Sequence, residues 1–168
     1  MDMTGEERIA AKREIVWSAL NSPNVLRKCI PNCEKLEKKS PTEMAATVKI
    51  KVGPISASFK DNITLTNLNP PESYTITAEG QGGIAGFAKG SSDVTLVEDG
   101  DETVLTYVIK AQMGGKLAML GSRMIDSSSK KLAAQFFTKF NKVVAKKAAK
   151  AAAKGGGAAN DADDDGDE

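Results

Sequence analysis

Residues 114–154 constrain this chain most, because no other segment is long and periodic enough to make a major helix. Apolar or small side chains recur there at Leu117, Leu120, Gly121, Met124, Ile125, Ser128, Leu132, Phe136, Phe140 and Val143. That three-and-four spacing gathers them on one helical face, which has to be covered. At a rise of ~1.5 Å per residue, residues 116–144 alone would span over ~40 Å, enough to cross the concave side of a small sheet. Beyond Val144 the stripe gives out and the sequence becomes AKKAAKAAAK, a strong helix former with no face to bury. The predicted helix therefore has a docked first part and a solvated, basic last part.

The preceding residues supply the sheet. A short first strand is expected over residues 3–9, then a helix over 13–20, then a second short helix that Ser22 caps, Pro23 starts and Pro31 stops. From residue 34 the period changes to two. Met44, Ala46, Val48, Ile50 and Val52 alternate with polar neighbours, and after the Gly53-Pro54 turn Ile55, Ala57, Phe59, Ile63 and Leu65 form the returning apolar face. Asp61 falls on that face, and a bulge that lets it out is expected, since an unpaired buried carboxylate is costly. Turns at residues 69–71 and 99–100 separate further strands marked by Tyr74, Ile76 and Ala78, by Val94 and Leu96, and by Leu105, Tyr107, Ile109 and Ala111. The glycines at 80, 82, 83, 86 and 90 lack the Lys-Ser/Thr ending of a phosphate loop and lead into a strand, so they read as points where a sheet bends. The expected class is α+β: a curved antiparallel sheet of about seven strands wrapped on one long C-terminal helix, with two short helices after strand 1.

A chain of 168 residues is long enough for one domain with a real core. No run approaches the ~18 apolar residues of a membrane span, and the acidic start is unlike a signal peptide, so a cytoplasmic protein is expected. With no histidine, Ser-His-Asp and Cys-His catalysis are excluded, and Cys29 and Cys33 alone make no structural zinc site. They are expected as reduced thiols. Tyr74, Tyr107, Asp61 and Glu79 carry the only chemistry suited to acid-base work and form no constellation, so no catalytic residues are assigned. Arg123 and Asp126 read as a helix-surface pair.

The formal charge of +1 conceals segregation. Residues 127–160 hold eight lysines and no acid, residues 161–168 six acids and no base, and the remaining body is nearly neutral. Three units are expected: a globular domain over 1–144, which the resemblance given below makes a START-like ligand-binding domain, a Lys/Ala-rich helix extension with a glycine linker over 145–157, and an acidic disordered tail over 158–168. Lys139, Lys142, Lys146, Lys147, Lys150 and Lys154 are candidates for contact with an anionic membrane or a partner protein, beside the plainer reading of a solvated linker helix. The tail is expected to fold back and weaken such contact. Nucleic acid is not an expected partner, because aromatic platforms and arginines are missing at that end.

Val16-Trp17 with Leu20 and Pro23, CIPNCE at 29–34, KVGPI at 51–55, EGQGGIAGFAKG at 79–90 and GGKLAMLGSRMID at 114–126 resemble the CO dehydrogenase G-subunit family, within the START-like, helix-grip superfamily that includes polyketide cyclases. The resemblance covers roughly residues 1–140, and the last two motifs are its specific part. Lys12, Asn32 and Asp61 depart from it, standing where proline, glycine and glycine are usual. It implies a cavity between sheet and helix for a quinone or other lipid with no covalent cofactor or metal, and an accessory, non-catalytic role. That role is to bring molybdenum CO dehydrogenase to the inner face of the cell membrane during carbon monoxide oxidation. The alternatives are an interaction adaptor with a filled core, and a cyclase-like or hydrolytic enzyme. From their size and pattern, Trp17, Phe59, Tyr74, Phe87, Met113, Leu117, Leu120 and Met124 are expected to line the cavity, with Gly121 making room.

Overall fold

Strands that alternate in burial and are joined by tight turns fold back on one another, and successive hairpins build an antiparallel sheet. The computed structural model describes residues 1–154. Its strands are β1 (Asp2–Ile9), β2 (Cys33–Ser40), β3 (Glu43–Val52), β4 (Ile55–Asn69), β5 (Ser73–Gln81), β6 (Phe87–Asp99) and β7 (Glu102–Gly114). They form one curved sheet in the order β1-β7-β6-β5-β4-β3-β2. Every neighbouring pair is a sequential hairpin except β1 with β7, whose register runs from Asp2 opposite Lys110 to Ile9 opposite Thr103.

Helices α1 (Arg13–Leu20) and α2 (Pro23–Cys29) fill the connection between β1 and β2. The Ser22 hydroxyl accepts the Val25 N–H at 3.3 Å, and Pro23 occupies the first turn, where its missing N–H costs nothing. Thr103, fully buried, donates its hydroxyl to the Ala11 carbonyl at 2.8 Å and so ties β7 to the entrance of α1. Helix α3 (Ser122–Ala153) lies against this assembly, and the fold is a helix-grip of the START-like class.

Two expectations about the long segment are corrected. Residues 115–120 are a separate 3-10 turn, and Gly121 at φ 88° breaks the chain before α3 begins at Ser122. Gly115 at φ 70° and Gly121 both take the left-handed backbone that other residues rarely adopt, so the turn is built in at its two ends. The buried face of α3 is Ile125, Phe137, Phe140 and Val144, with Leu132, Phe136 and Val143 half-buried beside it. Phe137 and Val144, rather than Phe136 and Val143, hold its centre. The helix passes residue 144 without a break, and Ala148 still packs on the core. The glycine linker and acidic tail lie outside the described residues.

Apolar side chains collect in two clusters. The larger joins α1, α2 and α3 to the sheet through Ile9, Val16, Val25, Tyr74, Leu96, Leu105, Phe140 and Val144. The rings of Phe136 and Phe140 stack at 5.5 Å, and Tyr107 stacks on Phe137 at 5.7 Å. The smaller cluster is Phe59, Ala85 and Leu117, flanked by Ile50, Ile55, Ala57, Ala88, Met113 and Leu120.

Candidate functional site

Inward positions on an antiparallel sheet form rows across the strands, so the register tells which side chains share a row. One row is Ala46, Asp61, Gly80 and Ala88; the next is Met44, Ile63, Ala78, Gly90 and Ala111. The first row continues to Met113; Met44 and Ile63 belong to the larger cluster and Ala88 and Met113 adjoin the smaller, so the rows lie where the two meet, and their middle is alanine and glycine. Small side chains leave space. Ala78, Gly90, Ser92, Ile109 and Ala111 stay half-exposed although they alternate with outward residues, and Ser128 and Ser129 on α3 do likewise. On the opposite, outer face an open cavity of about 660 Å³ lies between the row Thr77, Ser91, Lys110 and Asp2 and the row Glu79, Lys89 and Gln112, with the backbone of Ala78, Gly90 and Ala111 as its floor and Met1 at its edge. The Met1 amino group donates to the Ala111 carbonyl at 2.8 Å, and Ser129 on α3 donates its hydroxyl to the Met1 sulfur at 3.5 Å. On the inner side Met1 therefore bridges α3 and β7.

Asp61 is the polar group set among these rows. The expected bulge is absent: register is uninterrupted through Ala46 opposite Asp61 and Asp61 opposite Gly80. The reason lies in the neighbours. Ala46 is small, and the Asp61 carboxyl lies where a side chain on Gly80 would be. Being half-exposed, the carboxyl keeps part of its hydration, so strand and charge coexist. Burial nevertheless raises its pKa to about 6.

The side chains expected to line the cavity separate into several groups. Trp17 and Tyr74 meet edge to face at 5.1 Å inside the larger cluster, where burial also raises the Tyr74 phenol above its ordinary pKa. Phe59 and Leu117 are the buried centre of the smaller cluster, with Met113 and Leu120 packed on them. Phe87 alternates to the outer face, and its ring covers Gly114 there. Gly121 is exposed ahead of α3, and Met124, 38% exposed, rests its sulfur against Gly53 in the β3–β4 turn. The inward residues that the structure leaves half-exposed are small ones, Ala78, Gly90 and Ala111, which size-based reasoning passed over. The signal was there in the register, which aligns three small residues from three strands.

The four side chains with acid-base chemistry do not converge. Tyr74 is packed against Trp17, Tyr107 against Phe137, Glu79 alternates outward from β5, and Asp61 stands apart from all three. No group of three or more His, Cys, Asp or Glu side chains that could hold a metal occurs among the described residues. Both thiols are free; burial raises the Cys29 pKa to about 11 and also raises that of Cys33, which keeps them protonated and unreactive. On α3, Lys139, Lys142, Lys146, Lys150 and Lys154 are exposed and Lys147 is half-exposed. None of these six forms an ion pair among the described residues. No helix among the described residues is long and apolar enough to cross a membrane.

Comparison with known proteins gives a consistent picture. The family described as the carbon monoxide dehydrogenase G-subunit (CoxG) matches residues 5–145. A solved structure of a conserved protein from Geobacillus kaustophilus is similar at 32% identity and a TM-score of 0.83, over 88% of this chain and 97% of that one. A START superfamily protein from Mycobacterium smegmatis shares the fold at 14% identity and a TM-score of 0.67, over 86% and 97% of the two chains. The Zhui aromatase/cyclase from Streptomyces sp. R1128 does so at 15% identity and 0.59, over 94% and 99%. No curated protein sequence matches the chain.

Proposed function

The chain belongs to the carbon monoxide dehydrogenase G-subunit (CoxG) family, and from that premise we propose that it is a non-catalytic accessory of molybdenum CO dehydrogenase that carries a hydrophobic ligand, a quinone or another lipid. The observation that carries this reading is the half-exposure of the inward-facing Ala78, Gly90, Ser92, Ile109 and Ala111 and of Ser128 and Ser129 on α3, small or partly uncovered side chains where sheet and helix face each other beside the two apolar clusters. Ligand sites are concave and mostly apolar, with a few polar groups that orient the ligand. Asp61 is the group suited to orient a polar head here, the apolar remainder lying along the small-residue rows. The scattered positions of Tyr74, Tyr107, Asp61 and Glu79 favour carriage over chemistry. Lys139, Lys142, Lys146, Lys147, Lys150 and Lys154 of α3, without an ion pair among the described residues, support a further part of the proposal, an electrostatic contact with the anionic inner face of the membrane or with the enzyme partner.

Native mass spectrometry of the full chain, after incubation with menaquinone or ubiquinone, tests the carrier reading. One quinone retained per folded chain is expected, and Ala78→Phe, which fills the space, should reduce retention at least about tenfold. A wild-type chain that stays folded and takes up neither quinone would replace the carrier by an interaction adaptor.

A further inference from the structure

Two large apolar side chains are almost fully in solvent: Ile84 is 85% exposed and Met119 83%. They lie far apart in sequence, each in its own short 3-10 turn, Gly83–Ala85 and Gly115–Leu120. The two turns are locked together. Gly86, at φ 109°, sits so close to the Gly114 carbonyl and the Gly115 backbone that neither Gly86 nor Gly115 has room for a side chain. Each turn also sends one apolar residue inward, Ala85 and Leu117, into the cluster around Phe59. Their inward residues are thus spoken for, while Ile84 and Met119 project from the same end of the molecule with nothing to cover them. Met124 and the β3–β4 turn, which touch through Gly53, lie at this end as well.

The charges nearest the two turns are cationic, with Glu79 opposite Lys89 in the β5–β6 register as the adjoining acid. Residues 49–60, 80–92 and 111–125, which build the β3–β4 turn and both 3-10 turns with their flanks, contain Lys49, Lys51, Lys60, Lys89, Lys116 and Arg123 and no acid. The first acids beyond them are Asp61, which points inward, and Glu79, Asp93 and Asp126. An apolar tip ringed by cations complements a bilayer with anionic headgroups, where the aliphatic side chains enter the acyl boundary and the cations meet the phosphates. A protein partner with an acidic rim would need an apolar socket as well, whereas the bilayer offers both layers in that order. We propose that the paired turns carrying Ile84 and Met119 are an interfacial anchor that dips into an anionic lipid surface. This rests on the membrane part of the proposed function and deepens it, moving the inserted contact to the end of the molecule opposite the α3 lysines.

The test uses the full chain and phosphatidylcholine vesicles with and without phosphatidylglycerol. The double variant Ile84→Ser/Met119→Ser, at exposed positions, should keep its fold and lose about tenfold or more in partitioning to the anionic vesicles. Ile84→Trp should show a blue-shifted emission on binding and quenching by lipids brominated on the acyl chain, while Trp17, in the larger cluster, stays unquenched. Lys142→Gln/Lys146→Gln/Lys150→Gln should weaken binding less and leave that quenching intact. Undiminished binding by the serine variant, or an unquenched Ile84→Trp, overturns the anchor; if binding is then lost in the lysine variant, the electrostatic contact through α3 stands alone. A wild-type chain that binds neither vesicle overturns every membrane contact and leaves ligand carriage to its own test.

Discussion

The two apolar clusters are built from different materials. The larger is made of big side chains on regular elements: Phe140, Val144, Val16 and Ile9 are wholly buried, and stacked rings fix the helix to the sheet. The smaller has three buried members, two of them in 3-10 turns bounded by left-handed glycines, and exposed apolar side chains adjoin it. Dense contact between regular elements resists local opening, and sparse contact through turns does not. The contrast teaches that a helix-grip domain can concentrate its stability at one end of the long helix. The other end, and the small-residue rows between, are then left for binding.

The sharpest way to break this comparison is a deletion in each cluster. Phe140→Ala should cost about 3–5 kcal/mol, since a fully buried ring is replaced by a cavity between rigid elements. Urea unfolding should show it as a lower midpoint at unchanged slope. Leu117→Ala should cost less, about 2 kcal/mol, at the low end for buried leucine because a turn can settle into the void. Hydrogen exchange should then accelerate chiefly in residues 115–120. A global loss equal to that of Phe140→Ala would erase the distinction between the clusters.

Asp61 probes the rows between them. Its folded pKa of about 6 lies above the ordinary carboxylate value of about 4, so between those pH values the folded chain holds a proton that the unfolded chain has released. Stability is therefore highest below about pH 4, declines as pH rises to about 6, and stays lower above. Asp61→Asn removes this penalty. After allowance for solvent screening of a half-exposed group, it should stabilise the chain by about 1 kcal/mol at pH 8 and by nothing measurable at pH 3.5. Thermal melts at the two pH values decide it, and an equal gain at both would rule out desolvation of the carboxylate as the cause. The smallest effect belongs to the tip: Ile84→Ser should change stability by less than about 0.5 kcal/mol in solution, because the side chain leaves water in neither state. A larger loss in calorimetry would mean that Ile84 belongs to the smaller cluster after all.

Much of the fold was legible in the sequence because local signals agreed. Ser22-Pro23 marked the start of α2, the alternation from Met44 to Val52 marked β3, and Asp99-Gly100 marked the β6–β7 turn, each by chemistry acting within a few residues. The site was less legible. Its uncovered inward positions are small residues brought together by register between strands, while attention to large side chains pointed to Trp17, Tyr74 and Phe59, which are packed into the clusters. Phe87 went to the outer face because period two runs through Gly90 and Ala88, which a glycine-rich stretch conceals. Asp61 was misread for a related reason: its cost was judged on its own, and the relief came from Gly80 on the next strand.

The pairing of β1 with β7 carries a consequence for synthesis. Six strands can close hairpin by hairpin as they leave the ribosome, but Asp2 waits for Lys110 and Ile9 for Thr103. Contacts so distant in sequence form late, and an unpaired strand is a template for association with other chains. The first strand made is thus the last to find its partner, and Asp2, Glu6, Glu7 and Arg8 give it the charge to remain soluble during the wait.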